Sequence, residues 1–165
     1  MALKSTIDID GSEAVTKVLL ELLNSFPGLD GKDILFSTLK ETSGIGFFPT
    51  SGAALLINKE DITGRVKQVC LYPFNVIYRV APETETQKIR IKEFLDALGK
   101  WLEQQPVKIR NKTVQLSAYP DLASGNRKIK SISRINPAYL SAAYNDGVED
   151  WLISATVRYE NEFDK

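Results

Sequence analysis

The chain has 165 residues, 43% of them apolar and 25% charged, which is the composition of a folded domain rather than of a disordered or fibrous chain. Its 21 basic and 21 acidic side chains cancel, so the broad basic field that favours duplex DNA or an anionic membrane surface is absent. Histidine is lacking altogether, which excludes the Ser-His-Asp triad, Cys-His pairs, His-ligated zinc and imidazole proton shuttles. The length fits a single domain over residues 1–165.

The first five residues, Met1 to Ser5, lack the charged start and apolar stretch of a signal peptide, and no apolar run approaches the length of a membrane span. A cytoplasmic site of synthesis is expected. Val15, Val18, Leu19, Leu22, Leu23 and Phe26 recur at helical spacing and predict an amphipathic helix. Asp10 and Glu13 stand at capping-box spacing before it, and Pro27-Gly28 stops it. Residues 34–39 read as a short strand and residues 53–57 as another. Between them, residues 41–49 are rich in turn formers yet carry the adjacent Phe47 and Phe48, and read as a loop. Residues 58–61 read as a turn.

Residues 65–80 give the best strand pattern. Cys70, Tyr72, Phe74, Val76, Tyr78 and Val80 fall on one face, and Leu71, Pro73, Asn75, Ile77 and Arg79 on the other. Pro73 cannot donate to a ladder, so an edge position, a bulge or a bend is expected there. Cys70 is the only cysteine, which rules out an intrachain disulfide, and its apolar neighbours predict a small buried hydrophobe.

A second helix follows Pro82. Thr84 and Gln87 have capping-box spacing, Ile91, Phe94, Leu95, Leu98 and Leu102 form the apolar stripe, and Pro106 ends it. Residues 107–128 are polar and broken, with a short strand at 113–116. From 128 to 135, Ile129, Ser131, Ser133 and Ile135 alternate with Lys128, Lys130, Ile132 and Arg134, a strand with one charged face. Asn136-Pro137 breaks it and Asn145-Asp146-Gly147 is a turn. The final strand sets Trp151, Ile153, Ala155, Val157, Tyr159 and Phe163 on one face. These elements predict an α+β fold, a mostly antiparallel sheet with two amphipathic helices packed on one face.

The chemistry is sparse. Gly44-Ile45-Gly46 is too short for a dinucleotide fingerprint and lacks the helix that should follow. Carboxylate pairs such as Glu60-Asp61, Glu83/Glu85 and Glu149-Asp150 fall in expected loops and read as solvated surface. No cluster has metal-ligand spacing. No catalytic residue, cofactor or metal is therefore expected. The one basic concentration, residues 127–134, fits either a contact with nucleic acid or an acidic partner, or the solvated face of an edge strand guarded by lysines.

The order of these features resembles the minor capsid and tail terminator proteins of tailed bacteriophages of Gram-positive hosts. The segments that carry the resemblance are the Gly46-Phe47-Phe48-Pro49 loop, the strand Tyr72-Pro73-Phe74-Asn75-Val76-Ile77-Tyr78-Arg79, the helix Phe94-Leu95-Asp96-Ala97-Leu98-Gly99-Lys100-Trp101-Leu102, the Asp146-Gly147 turn and the strand Trp151-Leu152-Ile153-Ser154-Ala155-Thr156-Val157-Arg158-Tyr159. The resemblance implies a non-enzymatic virion protein with no cofactor. It implies a homo-oligomeric ring, a hexamer, that caps the head-proximal end of the tail tube. Its partners would be its own copies, the tail tube protein and the head–tail connector, with no membrane and no specific nucleic acid. A head–tail adaptor or neck ring is the nearest alternative, and a small cytoplasmic enzyme or a monomeric binding module are more distant ones. For the ring interface, the expected apolar patch is Phe47, Phe48 and Leu122, displayed on loops at 44–49 and 120–130 that order on assembly. The expected polar patch is Arg127, Lys128, Lys130 and Arg134, facing Glu83, Glu85 or Glu149 of a neighbour.

Overall fold

A computed structural model describes residues 12–50, 54–122 and 126–165. The chain runs α1 (Ser12–Asn24), β1 (Ile34–Phe36), β2 (Gly44–Pro49), β3 (Ala54–Glu60), β4 (Arg65–Val80), α2 (Glu85–Leu102), β5 (Val107–Ile109), β6 (Lys112–Val114), β7 (Asn126–Arg134), β8 (Tyr139–Ala143) and β9 (Glu149–Asp164). The two longest alternating segments of the sequence pair with each other. β4 and β9 are antiparallel over sixteen residues, from Arg65 opposite Asp164 to Val80 opposite Glu149. On the other flank of β4, β3 pairs with its first half and β2 with its second, and β1 lies parallel beyond β2. On the other flank of β9, β8 pairs with its first residues and β7 with the rest. The β5–β6 hairpin stands apart from this sheet.

Alternation in β4 and β9 sends Cys70, Tyr72, Phe74 and Val76, with Ile153, Ala155, Val157 and Tyr159, to one face, where all are buried. Both helices cover that face. Val15, Leu19, Leu23 and Phe26 of the α1 region and Leu95, Leu98 and Leu102 of α2 join the same core, with Phe26 in ring contact with Phe94 and Trp101. The Thr16 and Tyr72 hydroxyls bond at 2.7 Å, tying α1 to β4. The fold is α+β, as the alternation and helical stripes indicate. Thr84 caps α2 as its spacing predicts, accepting the Gln87 N–H at 3.2 Å. Asp10, the expected cap of α1, lies outside the described residues.

Several local expectations are corrected. Residues 44–49 form strand β2, not a loop: Ile45 and Phe47 alternate inward against Tyr78 and Val76 of β4. Of the two glycines that suggest a turn, Gly44 takes a positive φ of 127° at the start of the strand and Gly46 serves packing. A Cβ at Gly46 would overlap the Phe48 ring and the Thr38 carbonyl, so Gly46 lets that ring lie across the strand. β3 continues through Glu60, and the turn starts only at Asp61. The Asp61 carboxylate closes that turn, accepting the Thr63 and Arg65 N–H groups at 2.8 and 3.0 Å. Pro73 is neither at an edge nor in a bulge of the β4–β9 ladder. Its missing donor falls at the seam where β2 gives way to β3, and its carbonyl accepts the Thr50 N–H there at 3.1 Å. In β7 a bulge between Ile129 and Ser131 resets the alternation, so Ile129 and Ile132 both enter the core although strict period two sets Ile132 with the lysines. β8 is a strand that the sequence pattern does not reveal.

Side chains cap two sheet edges. The Asn24 amide donates to the Ile34 carbonyl at 3.0 Å and accepts the Ile34 N–H at 2.8 Å, acting as a one-residue strand beside β1. On β7, the Tyr119 hydroxyl accepts the Ile132 N–H and Glu103 accepts the Arg134 N–H, both at 3.2 Å.

α2 lies close to the sheet at Gly99, where a Cβ would overlap Arg134 Cδ and Ile153 Cδ1. Alanine raises helix propensity by about 1 kcal/mol over glycine. Gly99→Ala is nonetheless expected to lower stability in chemical denaturation, because the contact outweighs propensity; a stabilised variant would show that the helix stands off the sheet. Leu95→Ala, which empties a fully buried site, is expected to cost about 2–5 kcal/mol in the same measurement.

Candidate functional site

The residues expected to form an interface are not brought together on the surface. Phe47 is fully buried against Tyr72 and Phe74, and Leu122 is also in the core, so neither belongs to an exposed apolar patch. Phe48 is half-buried over Gly46. Two side chains of the basic strand, Lys130 and Arg134, pair with carboxylates within the chain. Arg127 Nε donates to Asn161 Oδ1 at 3.1 Å. Lys130 lies 3.5 Å from Glu160, and Arg134 bonds Glu103 at 2.8 Å with Asp96 at 3.7 Å. Lys128 is exposed. Burial pushes the Asp96 carboxyl up, but the Ala138 N–H, Lys92 and Arg134 outweigh it and hold it below the usual carboxylate range. Of the expected acidic counterparts, Glu83 and Glu85 are exposed, whereas Glu149 is buried and lies 3.4 Å from Lys88.

The polar focus of the molecule lies where β4 ends and β9 begins. Glu149 and Asp150 are not solvated loop residues: β9 starts at Glu149, right after the Gly147 turn (φ 85°), and both side chains are buried. Asp150 is opposite Arg79 in the ladder. The guanidinium grips it with both arms, Nε to Oδ1 at 2.7 Å and Nη2 to Oδ2 at 2.8 Å. The Tyr144 hydroxyl donates to Asp150 Oδ2 at 2.8 Å, and its ring lies 5.5 Å from the guanidinium carbon. The Arg79 bonds hold the Asp150 carboxyl below its usual range despite burial, and the bond to Asp150 raises the Tyr144 phenol. The cluster is closed on itself, which suits a structural clasp. Beside it, Glu149 Oε1 and Trp151 Nε1 are buried with no hydrogen-bond partner among the described residues.

Around this end of the sheet lie the features that the sequence pattern missed. A cleft of about 560 Å³ beside β1 and β2 has an apolar floor of Leu35, Leu39, Ile45, Tyr78 and Val80, with Lys32, Asp33 and Lys40 around it. Leu35 and Phe36 of β1 are 40% and 45% exposed. On the opposite edge, Tyr139 and Leu140 of β8 are 45% and 42% exposed, with Ile135 and Tyr144 exposed nearby. One signal was available: residues 135–145 contain no charged side chain in a chain that is 25% charged. Among the described residues, no group of three His, Cys, Asp or Glu is placed to hold a metal, and no helix is long and apolar enough to cross a membrane. A comparison with protein-family models and with curated proteins finds no match for the chain.

The Arg79–Asp150–Tyr144 cluster makes a pH prediction. The folded state depresses the Asp150 pKa, so its contribution is complete above the unfolded carboxylate value, about 3.9, and is lost as pH falls through the folded value. Asp150→Asn is expected to cost about 1.5–3 kcal/mol at neutral pH, the worth of hydrogen bonds to a charged group. It should also flatten the acid limb of the stability–pH curve relative to wild type. An unchanged acid limb would show that Asp150 is not bonded as described.

Proposed function

We propose that the protein is a structural component of a phage particle, a tail terminator whose copies form a ring on the head-proximal end of the tail tube. The observation that carries the reading is that the surface is rich in contact features and poor in chemical ones. The titratable cluster at the end of the sheet is internally bonded, Lys130 and Arg134 of the basic strand are paired within the chain, and exposed apolar side chains are grouped at both edges of one sheet, apart from single ones such as Ile62 and Ile89. Large exposed apolar side chains gathered on a small fold mark sites of protein contact. Three of the five segments behind the resemblance also act as one unit: Phe94, Leu95 and Leu98 of α2 pack in one cluster with Tyr72, Phe74, Trp151, Val157 and Tyr159 of β4 and β9.

A terminator stops tube growth and makes the tube end competent to join a head. Particles made without this protein are expected to have tails of uncontrolled length and unattached heads. Immunogold label against the protein should sit at the head-proximal tail end in wild-type particles. Tails of normal length joined to heads without the protein would overturn the reading, as would label confined to the head.

A further inference from the structure

The two exposed apolar patches lie on the same rows of the sheet. Leu35 of β1 is opposite Gly46, Gly46 opposite Ile77, Ile77 opposite Leu152, and Leu152 opposite Tyr139 of β8. The next row runs Ile34, Ile45, Tyr78, Trp151, Leu140 in the same way. β1 and β8 are thus the two ends of one five-strand band; Leu35 and Tyr139 are exposed at opposite ends of one row, and in the next row Leu140 is exposed while Ile34 is buried. We propose that these ends bind each other between copies: the β8 edge of one copy seats its Tyr139 and Leu140 against Leu35, Phe36 and the adjoining cleft of the next. The proposal rests on the assembly reading above and replaces Phe47, Phe48 and Leu122 as its apolar surface.

Three observations favour a second copy as the occupant. First, charge is complementary in the same order along both edges. The cleft rim carries Lys32 and Lys40, which form no ion pair with a described residue, against one carboxylate, Asp33. On the β8 side residues 135–145 are uncharged and are followed by the exposed Asp146. Apolar rows therefore face apolar rows, with lysines beyond one and an aspartate beyond the other. Second, β8 is guarded by its shortness and a bulge between Leu140 and Ala142 but not by side chains. Asn24 caps β1, Tyr119 and Glu103 cap β7, and β3 carries Lys59 and Glu60. β8 has neither a charge nor, among the described residues, a strand on its outer edge. Third, the patches differ, so the contact is head-to-tail, and because they share rows it needs little displacement along the strands. A small rise per copy favours a closed ring over a climbing filament, closure itself requiring a rotation that divides the circle. Since Asn24 already satisfies the Ile34 N–H and carbonyl, the contact on the β1 side is between side chains and not an added strand.

The test is sedimentation velocity on the full chain over a wide concentration range, with Leu35→Glu and Tyr139→Glu. Both side chains are exposed, so the variants should melt at the wild-type temperature. Wild type should assemble as concentration rises, and each variant should stay monomeric over the same range. Mixed together, the two variants should give a one-to-one dimer and nothing larger, because each supplies the surface the other lacks and the dimer has two blocked ends. Lys40→Asp should weaken assembly, and adding Asp146→Lys in the same chain should restore it. Wild type that stays monomeric, either variant assembling like wild type, or a mixture that stays monomeric would overturn the proposal. Failure here is separable from failure of the tail reading. A protein found at tail ends whose Leu35→Glu form still assembles would overturn these surfaces alone; assembly through them by a protein absent from tails would overturn the tail reading alone.

Discussion

One ladder organises this molecule. β4 and β9 pair over sixteen residues, about 50 Å of strand, and every other strand of the main sheet pairs with one of them or, in the case of β1, with a neighbour of β4. A slip of one residue would send Pro73, Asn75 and Ile77 inward in place of Tyr72, Phe74 and Val76. Pairs that form only in one register oppose such a slip. Arg79 grips Asp150 at one end, and Arg65 bridges Glu162 and Asp164 at the other. Between them Ser154 donates to Asn75 at 2.6 Å and Asn161 donates to Gln68 at 3.1 Å. The exposed pairs at the Arg65 end contribute little energy. The buried Asp150 clasp contributes more, because an unpaired charge there would be costly.

Much of this ladder is legible in the sequence, because period-two alternation over sixteen residues has no helical counterpart and the aromatic and β-branched content points the same way. Both helices are legible for the same reason, through 3.6-residue stripes ended by proline. What the sequence hides are departures from period and short elements. β2 reads as a loop because Gly44 and Gly46 look like punctuation, when Gly46 makes room for the Phe48 ring and Gly44 opens the strand at φ 127°. β7 reads with Ile132 on the wrong face because a bulge adds a residue that no composition signal marks. β8 is five residues between Pro137 and the Gly147 turn, and its side chains are exposed, so no buried stripe betrays it.

The candidate surfaces show the same division. The adjacent phenylalanines and the basic strand are the loudest local signals for an assembly surface. Tertiary pairing consumes much of both: Phe47 of β2 is buried opposite Val76 of β4, and Lys130 and Arg134 have acidic partners on β9 and at α2. Exposed apolar side chains stand instead at the two ends of a band whose members are far apart in sequence, 35–36 and 139–140. Only the register brings Leu35 and Tyr139 into one row, so no local pattern could reveal it.

The β4–β9 ladder is the stable centre of the sheet, and β1 and β8 are its exposed margins. Native-state hydrogen exchange on dilute protein measures that ranking directly. Hydrogen-bonded amides between 70 and 78 in β4 and between 151 and 159 in β9 should exchange only through global unfolding, with opening free energies equal to the stability measured by denaturant. Amides of β1 and β8 should open at lower free energy. Sub-global opening of the central ladder, or β1 and β8 as strongly protected as β4 in dilute protein, would contradict it.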